Sequence, residues 1–158
     1  MNKLSHVDNK QPTMVDVSSK QKTIRTAKAM GLVNLGKEII ALINNDDIQT
    51  AKGPVFQTAI IAGTQGVKKT ADLIPFCHTL LIDSIKINIT VVSDEEVEIV
   101  CTVKCEGKTG VEMEALTGVS TAALCIYDMC KAMSHDISIG HIHLVEKTGG
   151  KSDYRHKS

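Results

Sequence analysis

Alternation of apolar and polar residues predicts two adjacent strands in the middle of the chain. Apolar side chains occupy every second position over 85–91 and again over 97–105, with Lys, Asn, Thr and Glu between them. The polar residues 93–96 separate the two segments and are typical of a short hairpin connection. One face of each strand is apolar, so we expect an antiparallel sheet that is covered on one side.

Helical periodicity flanks this hairpin on both sides. Over 54–74, apolar residues recur at spacings of three and four, with Pro54 in the expected first turn and Pro75 after the end. The strongest helical pattern covers 111–133 and has an apolar stripe that predicts contact with a core. The stripe consists of Leu116, Val119, Ala123, Ile126, Cys130 and Met133.

Three further segments complete the order of elements. Residues 23–33 predict a strand, although the Ala, Lys and Met within them also favour a helix. Residues 35–44 predict a short helix, and 137–145 predict a last strand. The apolar phase of this strand slips at Gly140, which indicates a β-bulge. Two helices lie between the first and second strands. If one of them is an insertion, the order is β-α-β-β-α-β, so we predict an α+β fold, a ferredoxin-like sandwich with the helices packed on one face of an antiparallel sheet.

Both ends of the chain are polar and extend this core. Residues 1–22 predict an arm with one short extended piece at 14–18, and residues 147–158 predict a flexible basic tail. No linker divides the sequence, so 1–158 is interpreted as a single catalytic domain.

Composition narrows the classes of partner. Eighteen Lys and Arg balance eighteen Asp and Glu, so no overall field attracts nucleic acid or an acidic membrane. Aromatic residues make up 3% of the chain, too few for a surface that stacks bases. No apolar run reaches the length of a membrane span. Five cysteines without a C-x-x-C pair and without a preceding signal segment favour reduced thiols in the cytoplasm.

The polar face of the 111–133 helix is the first candidate for chemistry. Its residues are Glu114, Thr117, Thr121, Asp128 and Lys131. One interpretation is a solvated face with an Asp–Lys pair of little energetic consequence. The face has few long charged side chains, however, and its threonines leave room above the backbone, so a ligand or a neighbouring subunit is the alternative.

Histidines and a glycine-rich loop are weaker candidates. His78 follows a helix end, where an imidazole can act as an acid or base or simply remain exposed. His141 and His143 share a strand face, but no third metal ligand is evident, so no metal site is predicted. The segment 148–152 imitates the end of a phosphate loop without its first glycine, and predicts at most a flexible loop whose Lys151 contacts phosphate.

Five strings match a known family in order and spacing. They are MVDVS (14–18), PFCHTL (75–80), KTGVEMEALTGVS (108–120), YDMCKA (127–132) and EKTGGKS (146–152). Over residues 4–152 the chain resembles the cyclic pyranopterin monophosphate synthases, the second enzymes of molybdenum-cofactor biosynthesis. Phe76 and Thr79 replace a Leu and a Pro common in that family, and Ala51 replaces a Pro.

The resemblance implies a lyase that converts 3′,8-cyclo-7,8-dihydro-GTP to cyclic pyranopterin monophosphate and releases pyrophosphate. It also implies a homo-oligomer, a hexamer built as a trimer of dimers, with sites at subunit boundaries. The expected catalytic residues are Asp128, Lys131 and Lys52, and the expected substrate-binding residues are Phe76, Cys77, His78, Met113, Glu114, Glu112, Lys147 and Lys151. No cofactor is required, and Mg²⁺ bound to the triphosphate is compatible with this chemistry. The rival hypotheses are a nucleotide-binding regulator without turnover and a structural oligomer.

Overall fold

The computed structural model describes residues 7–8 and 11–157, so the predicted arm (1–22) and the end of the predicted tail lie partly outside the described residues. The elements in chain order are β1 (Val7–Asp8), β2 (Gln11–Pro12), β3 (Thr23–Asn34), α1 (Lys37–Ile40), β4 (Gln49–Thr50), β5 (Gly53–Pro54), α2 (Val55–Lys68), α3 (Thr70–Leu73), β6 (Ser84–Val91), β7 (Glu96–Gly107), α4 (Glu112–Cys130), β8 (Ser138–Thr148) and β9 (Tyr154–Arg155). None of the helices in these ranges is both long and apolar enough to cross a lipid bilayer.

The central strand of the main sheet is β3, which confirms the strand prediction for 23–33. It pairs over its whole length with β7 and over most of it with β8, both antiparallel. Ala27 and Ala29 are fully buried between these neighbours. Pairing on both sides therefore overrides the helical preference of the Ala- and Lys-containing stretch, since local propensity is weaker than tertiary context.

The hairpin β6–β7 forms as predicted, with Ile87 opposite Cys101 and Ile89 opposite Ile99. Strand β7 alternates buried and more exposed residues, and Cys101 and Cys105 both lie on its buried face. These two cysteines therefore serve packing of the core.

The predicted irregularity of the last strand is also present. The register of β8 against β3 shifts between Gly140 and His143, and His141 has a φ of 53°. The positive φ thus belongs to the residue after the glycine. A second shift occurs at Val145, between the partners of Lys28 and Ala29, and the sequence did not indicate it.

The strand order β6-β7-β3-β8-β9 and the helix positions confirm the ferredoxin-like α+β prediction. Helix α2 connects β3 to β6, and β7 lies between these two strands. Helix α4 connects β7 to β8, and β3 lies between them. Both helices pack on the same face of the sheet and against each other. Two interleaved β-α-β units of this kind define the fold.

The helical predictions hold with shorter bounds. The pattern at 54–74 divides at Lys69 into α2 and α3, and Pro54 precedes the first helical residue instead of occupying it. The helix expected at 35–44 is regular only in α1. The piece expected to be extended at 14–18 pairs with no strand among the described residues and ends in a turn at Ser18.

The basic end of the chain folds back on the sheet. Strand β9 pairs with β8, with Tyr154 opposite Lys147 and Arg155 opposite Glu146. The Arg155 guanidinium also lies 3.3 Å from the Glu146 carboxylate. The segment that we predicted as a flexible tail therefore contributes a fifth strand, which the sequence pattern did not reveal.

Candidate active site

Helix α4 carries predicted site residues at both of its ends. Glu112, Met113 and Glu114 form its first turn, where acidic side chains interact favourably with the helix dipole. Asp128 lies in its last turn, and Lys131 follows directly after the helix. Fourteen residues at 1.5 Å each separate Glu114 from Asp128 by about 21 Å along the helix axis. The structure therefore divides the predicted site into two groups.

The group at the carboxyl end of α4 is a carboxylate held between two ammonium groups. Lys131 Nζ lies 2.7 Å from Asp128 Oδ1, and Lys52 Nζ lies 2.8 Å from Asp128 Oδ2. Lys52 also donates a hydrogen bond to the Asp128 carbonyl at 3.3 Å. All three predicted catalytic residues thus meet, although Lys52 is 76 positions away from Asp128 in the sequence.

The turn between β4 and β5 positions Lys52. Its amide donates to the Thr50 hydroxyl at 3.2 Å, and that hydroxyl donates to the Gly53 carbonyl at 3.0 Å. Gly53 has a φ of 108°, which a residue with a Cβ rarely adopts. The Ala-Lys-Gly sequence is therefore the tip of a tight hairpin that presents the lysine to α4.

The two lysines control the protonation of Asp128. Hydrogen bonds from Lys131 and Lys52, together with their charges, lower the pKa of Asp128 to about 2. The hydrogen bond that Lys131 donates to this carboxylate also raises the pKa of Lys131. Near neutral pH the group consists of a carboxylate and a lysine ammonium that keeps its proton. The proton available for transfer therefore resides on nitrogen.

A cavity of about 420 Å³ adjoins this group. It is lined by Gln49, Thr50, Ala51, Lys52, Asp128, Met129, Lys131, Ala132 and Met133. The Asp128 side chain remains 54% exposed. Within one chain these charges are open to solvent, so a ligand or another protein surface can reach them.

The second group lies around the amino end of α4. Cys77, His78, Glu112, Met113 and Glu114 line a small cavity of about 140 Å³, with Leu80, Thr109 and Gly110. Five of the eight predicted substrate-binding residues thus meet here. Phe76 is 38% exposed and does not line this cavity.

Glu114 is the only buried glutamate among the described residues, with 5% of its surface exposed. Burial raises its pKa, and the nearby Glu112 charge acts in the same direction. Burial likewise raises the pKa of the Cys77 thiol, with a further contribution from the Glu114 charge. Cys77 is therefore a poor nucleophile here and is better suited to contact than to covalent chemistry.

A basic cavity of about 280 Å³ adjoins the small one and shares Thr109, Gly110 and Glu112 with it. Its cationic side chains belong to Lys20, Arg25, Lys108, Lys147 and Lys151. Lys147 Nζ lies 2.9 Å from the Glu112 carboxylate, the only acidic group in the lining. Cations outnumber carboxylates there, and the cavity is suited to a multiply charged anion.

Three of these cations were missed by the sequence reasoning. Arg25 had a detectable signal, because it occupies the same alternating phase of β3 as Ala27 and Ala29, the buried face. A charged residue in that phase marks a polar site at the end of a core. Lys20 and Lys108 gave no comparable signal, since each lies in a polar stretch of the chain.

The polar face of α4 requires a correction. One interpretation placed a ligand or a second subunit above Thr117 and Thr121, but α2 of the same chain packs closely against this part of the face. A Cβ placed on Gly66 would meet the Thr121 side chain and, at 3.3 Å, the Thr117 carbonyl. Glycine in α2 permits this close approach, so Thr121 serves helix packing, while Asp128 and Lys131 remain exposed.

No cluster of three or more metal-binding side chains occurs within residues 7–8 and 11–157. His143 Nδ1 lies 2.7 Å from the His141 carbonyl, and its ring packs against His156 with centroids 4.5 Å apart. His78 Nε2 lies 2.7 Å from the Val15 carbonyl.

Comparisons with known proteins find similarity over most of the chain. The sequence profile of the MoaC family matches residues 14–150. A protein of Xanthomonas axonopodis pv. citri (strain 306), named cyclic pyranopterin monophosphate synthase, is 51% identical over 152 residues, which are 96% of this chain and 92% of that protein. A molybdenum cofactor biosynthesis bifunctional protein of Synechocystis is 54% identical over 94% of this chain and 44% of its own length. Molybdenum cofactor biosynthesis protein 1 of Drosophila melanogaster is 49% identical over 96% of this chain and 27% of its own length.

Proposed function

Because this chain belongs to the MoaC family, we propose that it acts in molybdenum-cofactor biosynthesis as a cyclic pyranopterin monophosphate synthase. The substrate is 3′,8-cyclo-7,8-dihydro-GTP. In the reaction the purine ring opens, a pterin ring closes and a cyclic phosphate forms, while pyrophosphate leaves.

The pair of adjoining cavities at the amino end of α4 is the observation that carries this proposal. One cavity is basic, and the other is lined by a buried glutamate, a histidine, a cysteine and a methionine. A triphosphate carries about four negative charges at neutral pH. Cations that outnumber carboxylates match that charge, while the smaller cavity offers hydrogen-bonding groups to the heterocycle.

In this arrangement Lys147 and Lys151 bind phosphate, and Arg25 adds a planar fork suited to two phosphate oxygens. His78 and Glu114 orient the heterocycle, and Met113 packs against it. Glu112 keeps Lys147 in place through their ion pair. Phe76 contributes through the loop that holds Cys77, whose amide donates to the Ile74 carbonyl at 3.1 Å.

Proton transfer belongs to the group formed by Lys52, Asp128 and Lys131. A lysine held as an ammonium by a carboxylate can donate a proton to a leaving nitrogen or oxygen and recover it later. Asp128 keeps Lys131 charged until substrate arrives. Its carboxylate, with a pKa of about 2, is ionised at neutral pH and raises the pKa of the lysine.

The two groups belong to one site only if two copies of the chain share it. Within one copy about 21 Å of helix separates them, which is too far for one nucleotide to contact both sets closely. We therefore propose a homo-oligomer, a hexamer of three dimers, in which Lys52, Asp128 and Lys131 of one copy complete the cavities of another. The exposed side chains of Asp128 and Lys131 support such a contact.

The enzyme needs no resident metal in this proposal, and Mg²⁺ enters only with the triphosphate. A small-molecule substrate and free cysteines throughout the described chain fit a cytoplasmic location.

Pyrophosphate release from the cyclic dihydro-GTP substrate tests the proposed activity. An enzyme releases pyrophosphate in proportion to the pterin product. A nucleotide-binding regulator binds the compound without release, and a structural oligomer does neither. The absence of both products with folded, oligomeric protein would refute the proposal.

Mixing two inactive variants tests the shared site. Lys131→Ala loses the proton-transfer group, and His78→Ala loses the heterocycle contact. If each site combines groups from two copies, subunit exchange between the variants restores about a quarter of the sites, since one in four pairings unites two intact groups. A mixture that exchanges subunits and stays inactive would place both groups on one chain.

A further inference from the structure

The segment Val15–Lys20 bonds to side chains that line the two cavities, and the proposed reaction has not used these contacts. We call it the strap. It contains most of the MVDVS string, whose role the sequence pattern left unexplained. It belongs to no strand, so its position depends on side-chain contacts with the rest of the domain.

Two long-range hydrogen bonds fix the strap. The Val15 carbonyl lies 2.7 Å from His78 Nε2, and the Ser18 carbonyl accepts a hydrogen bond from Lys108 Nζ at 2.7 Å. Both partners line the cavities described above. The strap is therefore attached directly to the walls of the candidate site.

A local turn keeps the two attachment points at the right spacing. Asp16 Oδ1 accepts a hydrogen bond from the Ser18 amide at 2.8 Å. That bond lowers the pKa of Asp16, and the charges of Lys108 and His78 contribute in the same direction. Beyond Ser18, the amide of Lys20 donates to the Val17 carbonyl at 3.1 Å, which leads Lys20 into the basic cavity.

The bond to Val15 determines where His78 carries its proton. A backbone carbonyl can only accept a hydrogen bond, so the nitrogen that contacts it must be the N–H. Nε2 of His78 is therefore protonated, and in the neutral ring Nδ1 is the nitrogen with the lone pair. When the ring gains a second proton, that proton goes to Nδ1 and the bond to the strap persists.

We propose that the strap is a positioning element of the active site, which commits His78 to accept a hydrogen bond or a proton at Nδ1. Asp16 and Lys108 act through His78 by holding the Val15 carbonyl in place. For its consequence in catalysis this inference rests on the proposed function. The substrate then presents an N–H or O–H donor to His78, and the same ring can take up and return a proton without changing orientation.

Nitrogen NMR on protein labelled with ¹⁵N-histidine tests the assignment in the intact chain. His143 is an internal control of the opposite kind, because its Nδ1 contacts a backbone carbonyl at the same distance of 2.7 Å. We expect His78 to be protonated on Nε2 and His143 on Nδ1 in one spectrum, with His78 assigned from the spectrum of His78→Gln. A neutral His78 protonated on Nδ1 would overturn the proposal.

Releasing the strap tests the causal role. In the variant Asp16→Ala with Lys108→Met, we expect the hydrogen-bonded Nε2 proton of His78 to exchange rapidly with water while His143 is unchanged. Asp16→Asn with Lys108→Arg retains both hydrogen-bonding groups and should restore slow exchange. Slow exchange in the released variant would show that the strap does not hold the ring, and would refute the inference.

Kinetics of Asp16→Ala alone separate this inference from the proposed function, because Asp16 lines neither cavity. We expect kcat/KM to fall about 10-fold, since misplacing a group that contacts the reacting substrate by a fraction of an ångström is costly. Rapid Nε2 exchange with unchanged kcat/KM would show that positioning by the strap is irrelevant to the reaction. If the parent protein shows no turnover but His78 is protonated on Nε2 as expected, the proposed function is refuted and the strap assignment stays intact.

Discussion

Replacing Asp128 by Asn removes one negative charge from the centre of two ammonium groups and changes little else. The amide has nearly the same shape as the carboxylate and can still accept a hydrogen bond from Lys131 or Lys52. Both salt bridges, at 2.7 and 2.8 Å, lose their charge on one side. The variant therefore tests the charge of Asp128 separately from its volume.

The expected effect on turnover is large, and the expected effect on stability is small. Loss of a positioned acid–base pair lowers kcat by about 10²–10⁴-fold. Asp128 raises the pKa of Lys131, so the variant should also move the alkaline limb of the pH–rate profile toward neutral pH. Because the carboxylate is half-exposed, the melting temperature at pH 7 should change by no more than about 2 °C.

Stability at low pH provides an independent check on the charge. The pKa of Asp128 falls from 3.8 to about 2 on folding, so its ionised form favours the folded state above pH 3.8. That contribution is lost as the pH falls through about 2. The parent protein should therefore lose more stability than Asp128→Asn between these two values.

The chain contains a matched control. Lys69 and Asp72 form another exposed pair three residues apart, with 3.6 Å between Nζ and Oδ2. Asp72→Asn removes a charge in the same kind of pair, at a residue that lines none of the three cavities of the candidate site, and should leave kcat and the melting temperature unchanged. Steady-state rates of pyrophosphate release and light scattering on each variant complete the assay. Asp128→Asn with intact assembly and near-normal turnover would refute the catalytic assignment.

Three other substitutions address the opposite end of α4, the helix packing and the tail. Glu114→Gln should raise the melting temperature at pH 7.5, because burial raises the pKa of Glu114 and its charged form disfavours folding. Scanning calorimetry should show this gain shrink as the pH falls below 4.5, where the acid becomes protonated in both states. Gly118→Ala places a Cβ 2.7 Å from Cys101 Sγ and should lower the free energy of unfolding by about 1–3 kcal/mol in urea titrations, with partial recovery in the double variant that also carries Cys101→Ala. Lys151→Ala should raise KM for the triphosphate substrate and leave the melting temperature unchanged, and unaltered kinetics would remove Lys151 from the phosphate cavity.

The fold was largely predictable because its signals are periodic. In the hairpin β6–β7, apolar residues recur at every second position, and in helix α4 they recur at spacings of three and four. Each pattern arises because one face of the element is buried. Strand β9 was not predictable, since two residues such as Tyr154 and Arg155 have no period. Its pairing with β8 depends on a turn closed by the bond from the Gly149 amide to the Asp153 carboxylate, at 3.2 Å.

The site was predictable where a string of residues is specific, and not where distant segments meet. The three residues of the charged group were expected from the family resemblance, but the contact of Lys52 with the other two depends on the β4–β5 hairpin. The basic cavity combines Lys20, Arg25 and Lys108 from separate elements, and nothing in their local sequence indicates that they converge. The coverage of Thr121 by α2 was mispredicted, because small polar residues suit a close helix contact as well as an open surface.

The pairing of β9 with β8 also bears on how the protein avoids aggregation through the edges of its sheet. The free edge of a sheet offers unpaired N–H and C=O groups to the edges of other molecules, and aggregation begins at such sites. Strand β9 occupies part of the edge of β8 with only two residues, and the His156 amide extends this cover by donating to the Val145 carbonyl at 2.8 Å. Strand β9 is short and carries the charge of Arg155. In a chain shortened before Tyr154, the edge of the sheet would instead be the longer, partly apolar strand β8.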